Sequence, residues 1–284
     1  MSAILPTAYL NGSFLPIEEA KVPALDRGFL FGDGVYEVVP YFRDQGLLLD
    51  AHLDRLERSL AETGIRNPKA RDEWRSLLDG MVTRNGGGDQ AVYVQVTRGA
   101  DVMRDHVFPK GVEPTVFAMT WRLDFKFASM AREGIAAVTA TDIRWGRCDI
   151  KSTSLQANCM LREKAAQAGA VETILLAEGF ALEGAATSLF VVNDGELVTT
   201  PNSPHILPGT TRDYTLQLAR KAGLPSRIAP ISEAALRSAD EIWLTAATKA
   251  VAPVTRLDGE PVGDGRPGPW WQRLIALFGN DDNE

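Results

Sequence analysis

The sequence predicts a mixed α/β (α+β) chain built from two domains. Three observations carry that prediction. Strand-like and helix-like stretches mix through both halves of the chain. At 284 residues the chain is long enough to bury two cores. Its composition, 45% hydrophobic and 24% charged, is ordinary for a globular protein. The net charge of −7 argues against a nucleic-acid or anionic-membrane surface and leaves room for a small basic pocket. The two cysteines, Cys148 and Cys159, form no CxxC pair, which predicts free thiols in a reducing compartment and no zinc site. Met1 to Leu10 lacks the basic start and apolar core of a signal peptide, and no apolar run reaches membrane-spanning length. The expectation is a cytoplasmic protein.

Each element follows from local pattern. Asn11-Gly12 between short apolar runs predicts a hairpin over Ala8–Ile17. Gly28, Gly32 and Gly34 mark tight turns, and the β-branched and aromatic run Val35–Phe42 reads as a strand. No helix follows these glycines, so they are no dinucleotide fingerprint. Leu53, Leu56 and Leu60 share one face of a helix from Asp50 to about Thr63. A second helix, Ala70 to Thr83, is broken by Gly86-Gly87-Gly88. Ala91–Arg98 and Thr115–Thr120 are strands around a loop of about a dozen residues. The first domain is expected over 1–121, a connector over 122–133 and the larger domain over 134–284. In the second half, Gly134–Thr141 is a strand and Ser154–Ala168 a helix. Glu172–Ala177 and Ser188–Val192 are strands around a turn, and Asn193-Asp194-Gly195 turns into Glu196–Thr200. Thr211–Ala222 is a helix closed by Gly223. Short segments follow: a helix at Ser232–Ser238, strands at Glu241–Thr245 and Val251–Leu257, and a last helix from Pro269 to Phe278.

Three stretches contain residues that chemistry would use. Arg144 to Ser154 holds Lys151. A lysine amine is a nucleophile when neutral, and burial or nearby positive charge favours that form. Arg144 and Arg147 lie close in sequence, with Trp145 and Ile150 as candidate shields. On residue type alone, a surface lysine in a basic loop is the commoner case. Leu207-Pro208-Gly209-Thr210-Thr211 leads straight into a helix, whose N-terminus offers N–H groups and a positive dipole end to a phosphate; a plain N-cap threonine fits equally well. Arg104 and His106 alternate on an extended segment and so point the same way. An arginine there can grip a carboxylate through two N–H bonds and a histidine can add a donor, although an exposed loop histidine is the default. His52 and His205 have no ligand spacing.

Arg144-Trp145-Gly146-Arg147-Cys148-Asp149-Ile150-Lys151-Ser152 resembles the Schiff-base lysine segment of D-amino acid aminotransferases. These are pyridoxal-phosphate enzymes of fold type IV, related to branched-chain aminotransferases and aminodeoxychorismate lyase. The resemblance runs from about Asn11 to near the C-terminus. It implies two α/β domains with the cofactor site at their interface, pyridoxal 5′-phosphate as cofactor, and Lys151 as the Schiff-base and proton-shuttling residue. It implies Glu183 as partner of the pyridine nitrogen, where residue type alone suggests a solvated turn glutamate. Around the phosphate it implies Arg55, Thr210 and Thr211. Thr187 and Thr248 stand where relatives place further hydroxyls, while Ala185, Ala186 and Ala247 depart from that pattern.

For the substrate, the resemblance implies a carboxylate trap of Arg104, His106 and Tyr36, on a loop one residue longer than in relatives. It implies a homodimer in which that loop reaches the neighbouring subunit's site. The expected reaction is D-alanine plus 2-oxoglutarate to pyruvate plus D-glutamate. A branched-chain L-amino acid aminotransferase and an aminodeoxychorismate-type lyase are the rival expectations.

Overall fold

The computed structural model describes residues 3–125 and 127–278. Contacts divide the chain into two units: Met1–Asp124 with Ile150–Leu155, and Phe125–Asp149 with Gln156–Glu284. The expected boundaries differ from this division. Helix-forming residues, Phe127–Glu133, stand where a connector was expected, and the segment carrying Lys151 clusters with the N-terminal unit. Among the described residues, no helix is long and apolar enough to cross a membrane.

The first unit is an antiparallel sheet with helices on one face. Its strands are β1 (Thr7–Leu10), β2 (Ser13–Pro16), β3 (Gly34–Phe42), β4 (Gln45–Gly46), β5 (Gln90–Thr97) and β6 (Thr115–Arg122), in the order β2-β1-β6-β5-β3-β4. The hairpin turn at Asn11-Gly12 puts both residues at positive φ, as a tight two-residue turn requires. Its helices are α1 (Arg27–Phe31), α2 (Leu49–Thr63) and α3 (Arg71–Arg84). The residues of α1 read as turn in sequence because of their glycines. Asp26 caps this short helix by accepting from the Gly28 N–H, and Gly32 closes it in the left-handed conformation.

Period-two alternation sets what each face of β3 carries. Val35, Val39 and Tyr41 are fully buried against Leu53, Leu56 and Leu60 of α2 and Trp74 and Leu78 of α3. Glu37 has the same parity and lands in the same interior, while Tyr36 goes to the other face. Ile150–Leu155 runs along the near end of β3: the Tyr36 N–H donates to the Lys151 carbonyl (3.0 Å), the Thr153 N–H to the Gly34 carbonyl (2.9 Å), and Val35 bridges Ser152. Alternation then sends Ile150 into the core, where it is 5% exposed, and turns Lys151 toward Tyr36.

The second unit is a mixed sheet flanked by helices. It contains α4 (Phe127–Glu133), β7 (Ile135–Thr141), α5 (Gln156–Gln167), β8 (Glu172–Ala177), β9 (Phe180–Gly184), β10 (Ser188–Asn193), β11 (Glu196–Thr199) and α6 (Thr210–Lys221). There follow β12 (Ser226–Ile228), β13 (Ile231–Ser232), α7 (Glu233–Arg237), β14 (Glu241–Ala246), β15 (Ala250–Leu257), β16 (Glu260–Pro261) and α8 (Pro269–Ile275). The strand order is β12-β11-β10-β14-β15-β7-β8-β9-β13, with β16 on β15. The pairs β7/β8, β7/β15 and β11/β12 are parallel. Leu189, Val191, Ile242 and Leu244 pack with Ile174 and Val254 in its core. Strand β9 occupies residues read as a turn, and antiparallel pairing to β8 buries Glu183 within it.

Candidate active site

Each unit carries its own group of candidate residues. In the first, the Lys151 amine lies 4.3 Å from the centre of the Tyr36 ring. Tyr36 stacks on Tyr93 (5.4 Å between ring centres), whose hydroxyl donates to Gln95 (2.7 Å). These aromatic side chains give the lysine a rigid floor. Behind it, α2 presents a second stripe beside its leucines: His52, Arg55 and Ser59, all buried. Their spacing of three and four residues places them on one helical face. Ser59 Oγ accepts from the Lys151 N–H (3.4 Å).

Arg55 does not project as a solvated residue. It donates through Nε to Glu37 Oε1 (2.6 Å) and through Nη2 to Oε2 (2.9 Å), and His52 Nδ1 donates to the same Oε2 (2.8 Å). Burial works to raise the Glu37 carboxyl, but the Arg55 charge and the hydrogen bonds from Arg55 and His52 outweigh it and hold it well below the usual carboxylate range. Burial also pushes the His52 imidazole below its ordinary value, against the pull of Glu37; the positive charges of Arg55 and Lys151 add to that depression. Neutral His52 therefore carries its proton on Nδ1, facing the carboxylate. Glu37 was not singled out in the sequence, and His52 was given no role there. The available signal was polar residues at 52, 55 and 59 alongside an apolar stripe at 53, 56 and 60.

Arg104 and His106 are exposed, and both reach the ring of Phe31: the Arg104 guanidinium carbon lies 4.9 Å from its centre, and the His106 ring centre 5.3 Å away. The two side chains thus lie against one aromatic ring.

In the second unit, Glu183 is 4% exposed. Arg144 donates to it through Nη1, and the Leu207 N–H donates to its two oxygens at 3.2 and 3.1 Å. Burial pushes the Glu183 carboxyl up to about 7, against the Arg144 charge and these hydrogen bonds. Arg144 is held in turn by Asp142, at 2.9 Å from Nη2, and by the His205 carbonyl (3.0 Å). The arginines near Lys151 in sequence thus face carboxylates: Arg144 those of Asp142 and Glu183, Arg147 that of Asp149. Trp145, expected as a shield, is 48% exposed. Asp142 is a further residue that the sequence did not flag.

Thr210 and Thr211 open α6, and the cap is Gly209. Neither threonine is therefore the N-cap residue. A side chain at 209 would strike Ser188 Oγ, 2.4 Å from an ideal Cβ, so glycine permits the start of α6 to approach β10 closely. Thr187 is 5% exposed, and its hydroxyl has no hydrogen-bond partner among the described residues. Thr248 lies in the turn between β14 and β15.

A family model for amino-transferase class IV matches residues 34–257, and the chain belongs to that family. It is 39% identical over 270 residues to a D-alanine aminotransferase of Bacillus licheniformis, covering 95% of each chain. A D-alanine aminotransferase of Listeria monocytogenes is 37% identical over 274 residues, covering 95% of this chain and 93% of the relative. Among solved structures, the branched-chain amino acid aminotransferase of Escherichia coli superposes with a TM-score of 0.87 at 25% identity, covering 96% of this chain and 93% of that one. A branched-chain amino acid aminotransferase from T.th., solved with pyridoxamine 5′-phosphate, gives 0.88 at 26% identity, covering 96% and 92%.

Proposed function

We propose that this chain transfers the amino group of a D-amino acid to a 2-oxo acid, with pyridoxal 5′-phosphate as cofactor. D-alanine and 2-oxoglutarate are the substrate pair, giving pyruvate and D-glutamate. The observation that carries the reading is Lys151 braced against Tyr36 at the edge of β3, in a chain 39% identical to a D-alanine aminotransferase. The residues present fit this cofactor. Lys151 offers an amine, Glu183 a buried carboxylate, α6 an N-terminus that begins with two threonines, and Thr187 a buried hydroxyl with no hydrogen-bond partner among the described residues. When bound, the cofactor supplies an electron sink for the pair left when substrate Cα loses its proton.

Lys151 would hold the cofactor through its amine and, once free, would carry the proton that substrate Cα gives up. Tyr36 limits the directions its amine can take. Glu183, oriented by Arg144 and the Leu207 N–H, holds a proton on the pyridine nitrogen. Arg55, aimed by Glu37, answers the phosphate together with Thr210, Thr211, Thr187 and Thr248. Arg104 and His106 grip the substrate carboxylate, with Tyr36 as the third member of the trap.

The chain acts as a homodimer. Phe29, Val102, Met103, Val107 and Phe108 support this, since all five are large apolar side chains more than half exposed. Light scattering that finds only monomer at assay concentration overturns the dimer.

A half-reaction tests the function. Protein loaded with pyridoxal phosphate receives D-alanine or L-leucine with no oxo acid, and its visible absorption is followed. Loss of the band with D-alanine alone is expected. Loss with L-leucine alone would move the chain to the branched-chain activity that its structural neighbours carry.

A further inference from the structure

The loop bearing Arg104 and His106 has no helix or strand between Asp101 and Glu113. Its conformation is held largely from beneath, by one buried side chain. Arg27 is 3% exposed. Its guanidinium donates to three successive loop carbonyls: Asp105 and Val107 through Nη1, and His106 through Nη2, the last two at 3.4 and 3.3 Å. Nε donates to Asp33 Oδ2 (2.8 Å), and the guanidinium carbon lies 4.8 Å from the centre of the Phe31 ring, the ring that Arg104 and His106 also reach. Asp33 binds a second buried arginine, Arg98, whose guanidinium carbon sits 3.5 Å from the centre of the Phe108 ring farther along the loop. The loop's first turn is pinned as well. The Arg27 N–H donates to the Gly99 carbonyl (2.9 Å), and a Cβ at 99 would lie 2.0 Å from the Glu113 oxygen.

We propose that Arg27 is the positioning residue of the substrate-carboxylate loop. Through the carbonyls on both sides of the His106 peptide it sets where Arg104 and His106 point, and Asp33 fixes Arg27 in turn. The argument is one of donor geometry. A planar guanidinium carries five N–H donors and can serve Asp33 and three carbonyls together. An ammonium has three donors on a flexible stem and cannot reproduce the fork. Burial rules out water as a ready substitute for the lost donors. This inference rests on the reading of Arg104 and His106 as the carboxylate trap.

The experiment compares Arg27→Met, Arg27→Lys, Arg104→Ala and the double variant Arg27→Met/Arg104→Ala, each loaded with pyridoxal phosphate. Readouts are KM and kcat for D-alanine, the visible cofactor band and the thermal midpoint. Arg27→Met is expected to raise KM about tenfold or more, with a much smaller change in kcat and an intact band. Arg27→Lys, which keeps the charge and guards against loss of fold, should recover only part of that KM. The double variant should raise KM by clearly less than the product of the two single effects, because residues acting through one another are non-additive. If Arg104→Ala raises KM while both Arg27 variants bind D-alanine normally, or if the penalties simply add, the positioning role is overturned and the trap stands. If Arg104→Ala leaves KM unchanged, the trap itself fails, and the role of Arg27 with it.

Discussion

Glu37→Gln isolates what the buried charge on β3 does. The carboxylate is 1% exposed and accepts three hydrogen bonds, two from Arg55 and one from His52. Glutamine keeps the volume and one acceptor oxygen. That oxygen can keep the Arg55 Nε bond, and His52 can switch tautomer to accept from the new amide. The Arg55 Nη2 bond has no such remedy, since the amide nitrogen cannot accept. An 8%-exposed guanidinium then loses the charge of Glu37. Removing one member of a buried pair costs roughly 3–5 kcal/mol, and the retained bonds bring the expectation to about 2–3 kcal/mol.

This corresponds to roughly a 5–10 °C fall in thermal midpoint, measured with both proteins saturated in pyridoxal phosphate because ligand binding itself shifts the midpoint. The pH dependence gives a second signature. The depressed Glu37 contributes stability that is fully present above its ordinary value of 4.5 and is lost as pH falls toward its folded value. The wild type should therefore lose stability below about pH 4.5 by a component that Glu37→Gln lacks. An unchanged midpoint together with an unchanged acid limb would refute the reasoning.

Lys151→Ala should abolish transamination; near-normal turnover in a steady-state assay would sink the mechanism. Glu183→Gln removes the carboxylate that holds the proton on the pyridine nitrogen, so the half-reaction with D-alanine should slow about a hundredfold or more while D-alanine affinity holds; an equal rate constant in stopped flow would contradict this. At pH 8 a thiol reagent should label one cysteine fast. Cys159 is exposed, whereas Cys148 is 8% exposed, with burial pushing its thiol up to about 11. Cys159→Ser should remove the fast phase, and its persistence would overturn the assignment.

Much of the architecture was legible because local pattern and tertiary packing agree. The leucine stripe of α2, the alternation in β3 and β5, and the Asn11-Gly12 turn each specify their element without distant contacts. Strand β9 was not legible. Phe180–Gly184 is short and runs into Gly184-Ala185-Ala186, and only pairing to β8 makes it a strand that buries Glu183. Helix α1 was hidden by the glycines in and after it; Gly28 is required because a Cβ there would lie 2.2 Å from Thr97 Cγ2.

The sequence by itself determined the lysine segment, the Arg104/His106 spacing and the family, because these live in consecutive residues. Tertiary structure alone decided the partners. It brought Glu37 from β3 under Arg55 and His52 of α2, set Asp142 and Arg144 around Glu183, and placed Arg27 beneath a loop some eighty residues downstream. A buried charge is tolerated only where its counter-charge and donors arrive from elsewhere in the fold. No local window of sequence contains both Glu37 and Arg55, both Arg144 and Glu183, or both Arg27 and His106.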